Sequence, residues 1–426
     1  MLNFTRSAAI GGLMLCAANP VAAQDTGNVI FLHPDGTGVN HWLAARMHTV
    51  GPDGELNWDK LPALGVYTGH MADRVTGTSH GGATAHAYGI KVVADSFGMN
   101  GKEALTAASG KKMSVAQEAM AAGKAVALVQ SGHIAEPGTA VFVASNKSRR
   151  NAADIARQVI ESGAQVIMAG GERLLLPVGT EGRHGPGKRK DGLNLIERAQ
   201  ELGYEVVFTR DELMALDLAN VDKLLGVFAH NHTFNDQERE RNLIEGKPTY
   251  WDHAPSLAEM SEVALEIVSR DEDGFFAVIE EEGTDNIANN MNAAGTLEAL
   301  RRADAAVGTV LEFLEGRDDT LLLMTADSDA GGLQVYRQEE GPVAATTRGG
   351  GVLHGVQGAF GDAFETAPDR NGNTLFYGIA WTGYSDVAGG ILVRGAGFNS
   401  ELIRPLMDST DVYSVMHQTL FGVAVQ

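Results

Sequence analysis

The chain has 426 residues, and 44% of them are hydrophobic, which is enough for a sizeable core. Its formal net charge of −21 argues against a broad nucleic-acid-binding face, because such a surface would repel phosphate backbones. The one cysteine, Cys16, lies near the N-terminus. From residue 17 onwards the sequence therefore offers neither a disulfide nor thiol chemistry.

Residues 1–23 have the features of a secretory signal peptide. Arg6 supplies a positive start, an apolar stretch runs from Ala8 to Ala18, and the small residues Val21-Ala22-Ala23 precede a cleavage point. The apolar stretch is too short to anchor a protein stably across a bilayer. The sequence therefore predicts an exported, periplasmic or secreted protein that starts near Gln24 and has no membrane anchor.

Strand-like and helix-like segments alternate along the remaining chain. Buried strands are predicted, in chain order, for NVIFLHP, AVALVQ, QVIMAGG, FFAVI, TLLLM and GILVRG. Helical spacing of apolar residues is found in SRRNAADIARQVIESG, PSLAEMSEVALEIVSR and TLEALRRADAAVGTVLEFLEG. This alternation predicts an α/β fold, a three-layer α/β/α sandwich around a large, mostly parallel sheet. Residues 24–426 are predicted to form a single domain, with an irregular, Gly- and Thr-rich insertion at about 333–376.

Three of the predicted strands are followed by acidic residues. Asp35 follows the first, Glu280 and Asp285 lie in FFAVIEEEGTD, and Asp327 and Asp329 lie in TLLLMTADSD. Functional groups in open α/β sheets collect beyond the carboxyl ends of strands, so these acids should converge at one edge. Carboxylates at close range need protons or cations to be stable, which predicts bound divalent metal.

The segment TGTSHGGATAHAYGIK contains the candidate nucleophile, Ser79. The serine stands at the start of a predicted helix, where backbone N–H groups and the positive end of the helix dipole favour an anion. A bound metal could activate its hydroxyl in place of a histidine base. The alternative is that Ser79 or Thr78 only caps the helix.

The order of these motifs resembles that of the alkaline phosphatase family, in its bacterial exported branch. The matching segments run from about Val29 to Phe421 and include Asp35-Gly36, Thr78-Ser79-His80-Gly81, Ala83-Thr84-Ala85, Gly89-Ile90-Lys91, SRRNAADIARQVIESGAQVIMAGG, TADSDAGGL and DSTDVY. The resemblance implies an alkaline-phosphatase-like fold in which Ser79 is phosphorylated, Arg149 binds phosphate and Asp35 bridges metals. Lys147 would add positive potential for substrate binding, or would be a solvated residue at a helix start.

The chain departs from the family at the three histidines that bind zinc there. Asn289, Ser328 and Asp386 stand at those positions, and Thr78 replaces the aspartate before the nucleophile. All three replacements at the metal sites carry oxygen donors, which suit Mg²⁺, Ca²⁺ or Mn²⁺, whereas the family implies Zn²⁺. An alternative is that His33 or His80 supplies nitrogen from a new direction. His230 and His232, in FAHNHTFN, could also bind metal, but a surface loop is favoured because alternating histidines are common without metal.

The resemblance implies two or three divalent ions. The first would bind Asp35, Asp327 and Ser79, with Ser328 as a further candidate. The second would bind Asp285, Asn289 and Asp386. The third would bind Asp35 and Glu280, with Glu136 or Thr139.

The function implied is hydrolysis of small phosphate monoesters through a phosphoserine, with a homodimer as a compatible assembly. Two alternatives remain open. One is a phosphodiesterase of the same superfamily, and the other is a non-catalytic protein that binds phosphate or metal.

Overall fold

A ten-stranded sheet forms the centre of the protein, as seen in a computed structural model that describes residues 26–237, 241–343 and 354–425. The predicted signal peptide, residues 1–23, lies outside the described residues. The strands of the molecule are β1 (Asn28–Pro34), β2 (Ala63–Thr68), β3 (Ala125–His133), β4 (Val166–Gly170), β5 (Glu205–Val207), β6 (Leu224–Val227), β7 (Phe275–Glu281), β8 (Thr320–Met324), β9 (Gln334–Arg337), β10 (His354–Gln357), β11 (Phe364–Glu365), β12 (Phe376–Trp381), β13 (Ile391–Gly397) and β14 (Leu406–Asp408).

The strand order of the large sheet is β14-β2-β13-β8-β1-β7-β3-β4-β6-β5. Within the described ranges, β13 is antiparallel to both of its neighbours and every other pairing in this sheet is parallel. The predicted mostly parallel sheet is confirmed. At its centre, β1 lies between β7 and β8, with Leu32 level with both Ile279 and Met324.

Helices cover both faces of the large sheet. They are α1 (Val39–Thr49), α2 (Ser79–Tyr88), α3 (Val115–Ala121), α4 (Pro137–Ala140), α5 (Ala152–Ile160), α6 (Leu195–Glu201), α7 (Arg210–Met214), α8 (Arg241–Ile244), α9 (Leu257–Val268), α10 (Gly283–Asn289), α11 (Ala293–Leu314) and α12 (Ser409–Phe421). The three segments predicted to be helical correspond to α5, α9 and α11.

Because side chains alternate along the strands, a hydrophobic core lies on each face of the large sheet. Val29 and Phe31 of β1 belong to a core that includes residues of α2, α3, α5 and α12. Ile30 and Leu32 belong to a second core, on the opposite face, with residues of α1, α9 and α11. Burial on both faces explains why β1 has a continuous apolar sequence.

The stretch from 333 to 376 contributes to a second, smaller sheet. In it, β12 pairs antiparallel with β9, β10 and β11. Short strands of this kind give little periodic signal, which is why the sequence there reads as irregular. Among the residues described, no helix is long and apolar enough to cross a membrane.

Candidate active site

The central strands bring the predicted acids to one edge of the sheet. Because β8, β1 and β7 are adjacent and parallel, the residues that follow them emerge side by side. Asp35 directly follows β1, Glu280 lies near the end of β7, and Asp327 comes shortly after β8. All three side chains are buried. The predicted convergence of acids from these strands is therefore present in the fold.

Two groups of ligand-type side chains share Asp35. One consists of His33, Asp35 and Asp327, and the other of Asp35, Glu282 and Asp285, with candidate ligand atoms within 4.8 Å of one another in each group. Many of the buried polar atoms here have no hydrogen-bond partner of standard geometry. These atoms are Nε2 of His33, both carboxylate oxygens of Asp35, Glu280 and Asp327, Oε2 of Glu282 and Oγ of Ser328. Clustered buried acceptors without donors fit divalent cations, which would satisfy them together.

Burial and mutual repulsion set the protonation of this cluster. Burial, reinforced by neighbouring carboxylates, raises the pKa of four acids well above its ordinary value: Glu280, Glu282, Asp285 and Asp327. Burial would raise the pKa of Asp35 as well, but His33, Asp327 and Ser79 lower it to about 2. In the absence of a cation, Asp35 therefore keeps its negative charge more readily than the other four acids.

Ser79 is the first residue of α2, and Thr78 is its N-cap. The Thr78 hydroxyl accepts a hydrogen bond from the backbone N–H of Gly81 at 3.2 Å and donates one to the Ala94 carbonyl at 2.9 Å. Capping is therefore carried out by Thr78, and Ser79 is not needed for it. A Cβ atom on Gly82 would collide with Asp327, so glycine at this position allows the Asp327 carboxylate to approach α2 closely.

Arg149 lies beside the start of α2. One of its terminal nitrogens, Nη1, is 3.5 Å from Nδ1 of His80, the residue after Ser79. The other, Nη2, donates to Oε2 of Glu136 at 3.1 Å. Arg149 thus has fixed partners on two sides, although 41% of its side chain remains exposed to solvent.

A cavity of about 630 Å³ opens over Arg149 and His80. Its charged lining residues are Asp95, Lys102, Lys147, Arg149 and Arg150. The structure thus places Lys147, predicted to help bind substrate, in the same cavity as Arg149. Four cations against one carboxylate make this cavity locally positive in a chain of net charge −21, which favours the entry of anions.

Asn289, Asp386 and Asp285 lie together next to the acidic cluster. Nδ2 of Asn289 donates to Oδ1 of Asp285 at 3.0 Å and to Oδ1 of Asp386 at 2.9 Å. Its Oδ1 accepts from the backbone N–H of Gly331 at 2.9 Å, which fixes the orientation of the amide. In this arrangement Asn289 orients two carboxylates, and its oxygen would have to turn away from Gly331 to bind metal. Ser328 is buried beside Asp386 and interacts with it.

Glu280, Gly138 and Thr139 meet behind the cluster. A Cβ on Gly138 would overlap the Glu280 carboxylate, so the acid occupies the space of a side chain at 138. Burial and the charges of Asp35 and Glu136 raise the pKa of Glu280, and an interaction with the backbone N–H of Thr139 opposes that shift. The Thr139 hydroxyl accepts a hydrogen bond from Gln130. Of the predicted third-site residues, Glu280 faces the cluster, whereas Glu136 binds Arg149 and His133.

Three residues near the site were not among the predicted ones. Glu282 joins Asp35 and Asp285. It is the last of three consecutive glutamates that end β7 and begin α10, and that acidic run is the signal that could have indicated it. His133 and His232 form a third group with Glu136. The expectation of a surface loop is wrong for His232, which is only 7% exposed and stacks between His133 and Phe234. Contacts between distant loops of this kind have no local sequence signal.

Comparison with known proteins gives a consistent family assignment. The Escherichia coli (strain K12) alkaline phosphatase is 27% identical over 389 residues, covering 82% of this chain and 79% of that protein. A membrane-bound alkaline phosphatase of Bombyx mori is 28% identical over 344 residues, and the match spans 72% of this chain but only 60% of that protein.

Solved structures agree on the fold. The Thermus thermophilus alkaline phosphatase superposes with a TM-score of 0.73 at 22% identity, covering 95% of this chain and 93% of that one. The alkaline phosphatase of the Antarctic bacterium TAB5 gives a TM-score of 0.70 at 18% identity, with coverages of 93% and 99%. The alkaline phosphatase family model matches residues 26–347. Since that match covers more than half of the chain, this protein belongs to the alkaline phosphatase family, whose chemistry is phosphatase-type hydrolysis supported by divalent metals such as zinc and magnesium.

Proposed function

We propose that this protein hydrolyses phosphate monoesters through a phosphoserine formed on Ser79. The observation that carries the proposal is the placement of Ser79. It begins α2 without being the cap, borders the Asp35–Asp327 pair, and is followed by a residue that contacts Arg149. Phosphoryl transfer needs a nucleophile, carboxylates that can bind a divalent cation, and a guanidinium group that can bind phosphate through two hydrogen bonds.

In the first step, Ser79 loses its hydroxyl proton to solvent and its Oγ forms a bond to phosphorus. The bond from phosphorus to the ester oxygen breaks, and the leaving oxygen takes the electron pair and a proton from water. In the second step a water molecule loses a proton to solvent, and its oxygen forms a bond to phosphorus from the side opposite Oγ. The Oγ–phosphorus bond then breaks, Oγ takes the electron pair and a proton from solvent, and inorganic phosphate is released.

Arg149 and the first turn of α2 stabilise the negative charge of the phosphoryl group. The planar guanidinium can donate two parallel hydrogen bonds to non-bridging oxygens, while Glu136 and His80 hold it in place. Lys147, exposed at the cavity, adds long-range attraction for the anion. Divalent ions on Asp35, Asp327, Asp285 and Glu282 would lower the pKa of the Ser79 hydroxyl and neutralise charge on the reacting oxygens.

Covalent trapping tests the proposal directly. The metal-loaded enzyme, incubated with ³²P-labelled inorganic phosphate at low pH and quenched in acid, should carry label on the peptide that contains Ser79. Ser79→Ala should carry none and should lose turnover, whereas Thr78→Ser, which keeps a capping hydroxyl, should still be labelled. Label on Thr78, or turnover by Ser79→Ala, would place the nucleophile elsewhere.

Substrate comparison separates the proposed activity from its relatives. Rates with 4-nitrophenyl phosphate should exceed those with bis(4-nitrophenyl) phosphate, because a site built around a dianionic phosphoryl group gains less from a diester. Faster diester cleavage would indicate a phosphodiesterase. Phosphate binding without label or turnover would indicate a non-catalytic protein.

A further inference from the structure

We propose that His33 is a metal ligand, so that the two cation positions sharing Asp35 differ in chemistry. The inference deepens the proposed function, on which it rests for the presence of metal at this edge of the sheet. It starts from the geometry of one imidazole ring. His33 lies on β1, its side chain is 1% exposed, and its two nitrogens have different surroundings.

The first nitrogen, Nδ1, is 2.9 Å from the backbone carbonyl oxygen of Thr325. A carbonyl only accepts hydrogen bonds, so Nδ1 carries the proton. Histidines that bind metal commonly use one nitrogen in this way, because the second bond fixes both the tautomer and the ring orientation. Contacts with Phe31 and His86, at ring-centroid distances of 5.7 and 5.6 Å, further restrict the ring.

The second nitrogen, Nε2, points into the acidic cluster. It is 3.3 Å from Oδ1 of Asp35. Neither of these two atoms makes a hydrogen bond of acceptable geometry, although the distance between them would allow one. An imidazolium paired with Asp35 would direct its N–H at the oxygen. If Nε2 instead carries a lone pair, Nε2 and Asp35 can bind the same cation. The two atoms can then lie this close without an N–H that points at the oxygen.

The nearby acid completes the position. Asp327 lies within 4.8 Å of both His33 and Asp35, and its two oxygens are buried without a partner. One nitrogen and two carboxylate oxygens are a donor set that suits zinc and related ions. The neighbouring group of Asp35, Glu282 and Asp285 offers only oxygens, which suit magnesium, calcium or manganese. Thus one position should prefer a borderline ion and the other a hard ion.

X-ray absorption with substoichiometric zinc tests this inference without measuring turnover. Metal-stripped Ser79→Ala protein loaded with one equivalent of Zn²⁺ should show imidazole scattering around the zinc. Adding His33→Gln should remove that scattering. It should also weaken Zn²⁺ binding in equilibrium dialysis by at least about 10–100-fold, the range seen when only an outer-shell partner is lost. Binding of Mg²⁺ should change by much less.

His232→Gln is the matched control, because the group of His133, Glu136 and His232 is a second place where zinc could find nitrogen. This variant should retain the imidazole signal and the Zn²⁺ affinity. The inference is refuted if His232→Gln loses the signal while His33→Gln keeps it. It is also refuted if the Ser79→Ala protein with both histidines shows no imidazole around zinc. Because the background lacks the nucleophile, these outcomes do not depend on whether Ser79 becomes phosphorylated.

Discussion

At the scale of single residues, Arg149 and Lys147 line the same cavity in different ways. Arg149 is held by Glu136 and lies beside His80, whereas Lys147 is exposed. Arg149→Ala should weaken competitive inhibition by inorganic phosphate by about 1.5–3 kcal/mol for each charged hydrogen bond lost, roughly 10- to 100-fold. Arg149→Lys should recover only part of this, because an ammonium group lacks the two-pronged geometry.

Lys147→Ala provides the comparison in the same inhibition assay. An exposed cation contributes about 1 kcal/mol or less, so its loss should shift the inhibition constant by no more than several-fold and mainly at low salt. Equal effects of the two alanine variants would mean that the cavity attracts phosphate by overall potential and that Arg149 makes no specific contact.

Residue-level prediction from the sequence was limited where hydrogen bonds and contacts in the folded chain decide a residue's role. Ser79 and Thr78 are one residue apart, and the sequence left open which one caps α2; only the hydrogen bond from Gly81 to Thr78 settles that. Glu282 was missed, and strand alternation does not place it, because it lies beyond the end of β7 as the N-cap residue of α10. His232 could not be placed, because its burial depends on β3 and on the loop after β6 meeting in space.

At the scale of elements, the apolar runs predicted the central strands. They also predicted that the acids after these strands would lie together at one edge of the sheet. The direction of β13 was not predictable, because a short apolar run has the same pattern whether its neighbours run parallel or antiparallel. The strands between 333 and 376 were missed because they have only two to four residues each within the part described. These strands form by pairing with β12, which is distant from most of them in sequence.

One buried acid joins two helices. Glu118 of α3 is 1% exposed and accepts hydrogen bonds from Tyr413 of α12 at 2.8 Å and from Ser109 at 2.6 Å, with Lys111 2.9 Å away. Burial would raise its pKa, but His417, Lys111 and the two hydroxyls lower it from 4.5 to about 2. Since the folded-state pKa is depressed, this stabilisation is present above about pH 4.5 and is lost as the pH falls towards 2.

Glu118→Gln should therefore lower the free energy of unfolding at pH 7 by on the order of 3 kcal/mol, and should reduce the loss of stability between pH 4.5 and 2. Urea unfolding of metal-loaded protein across this range measures both. Glu161→Gln is the control, because its ion pair with Arg157 is at the surface and should contribute about 1 kcal/mol or less. A Glu118→Gln profile parallel to that of the unmodified protein would contradict this account.

At the scale of the whole molecule, the acidic cluster links stability to metal and pH. Burial raises the folded-state pKa of Glu280, Glu282, Asp285 and Asp327 when no cation is present. The folded, metal-free protein then binds more protons than the unfolded chain, so its stability falls as the pH rises above about 4. Bound cations would replace those protons.

Chelated protein should thus melt at progressively lower temperature between pH 5 and 9, and the gap to metal-loaded protein should widen. A cation at 100 times its dissociation constant should restore about 2.7 kcal/mol per site. Differential scanning calorimetry of both forms across this pH range measures the gap. If the difference in melting temperature between the two forms stays constant or narrows as the pH rises, this account is wrong. The carboxylates would then have other partners for their charge in the metal-free protein.

The strand order at the centre of the sheet has a consequence for how the protein is made. β1 pairs with β7 and β8, whose contacting residues are 247 and 292 positions further along the chain. Asp35 therefore leaves the ribosome long before Asp285 and Asp327 exist to share a cation with it. The position of Asp35, Glu282 and Asp285 is complete only after about two-thirds of the chain has been made, and that of His33, Asp35 and Asp327 only after about three-quarters. We therefore expect metal uptake at these two positions to follow synthesis of Asp285 and Asp327, and products truncated before Asp285 to remain metal-poor and open to proteolysis.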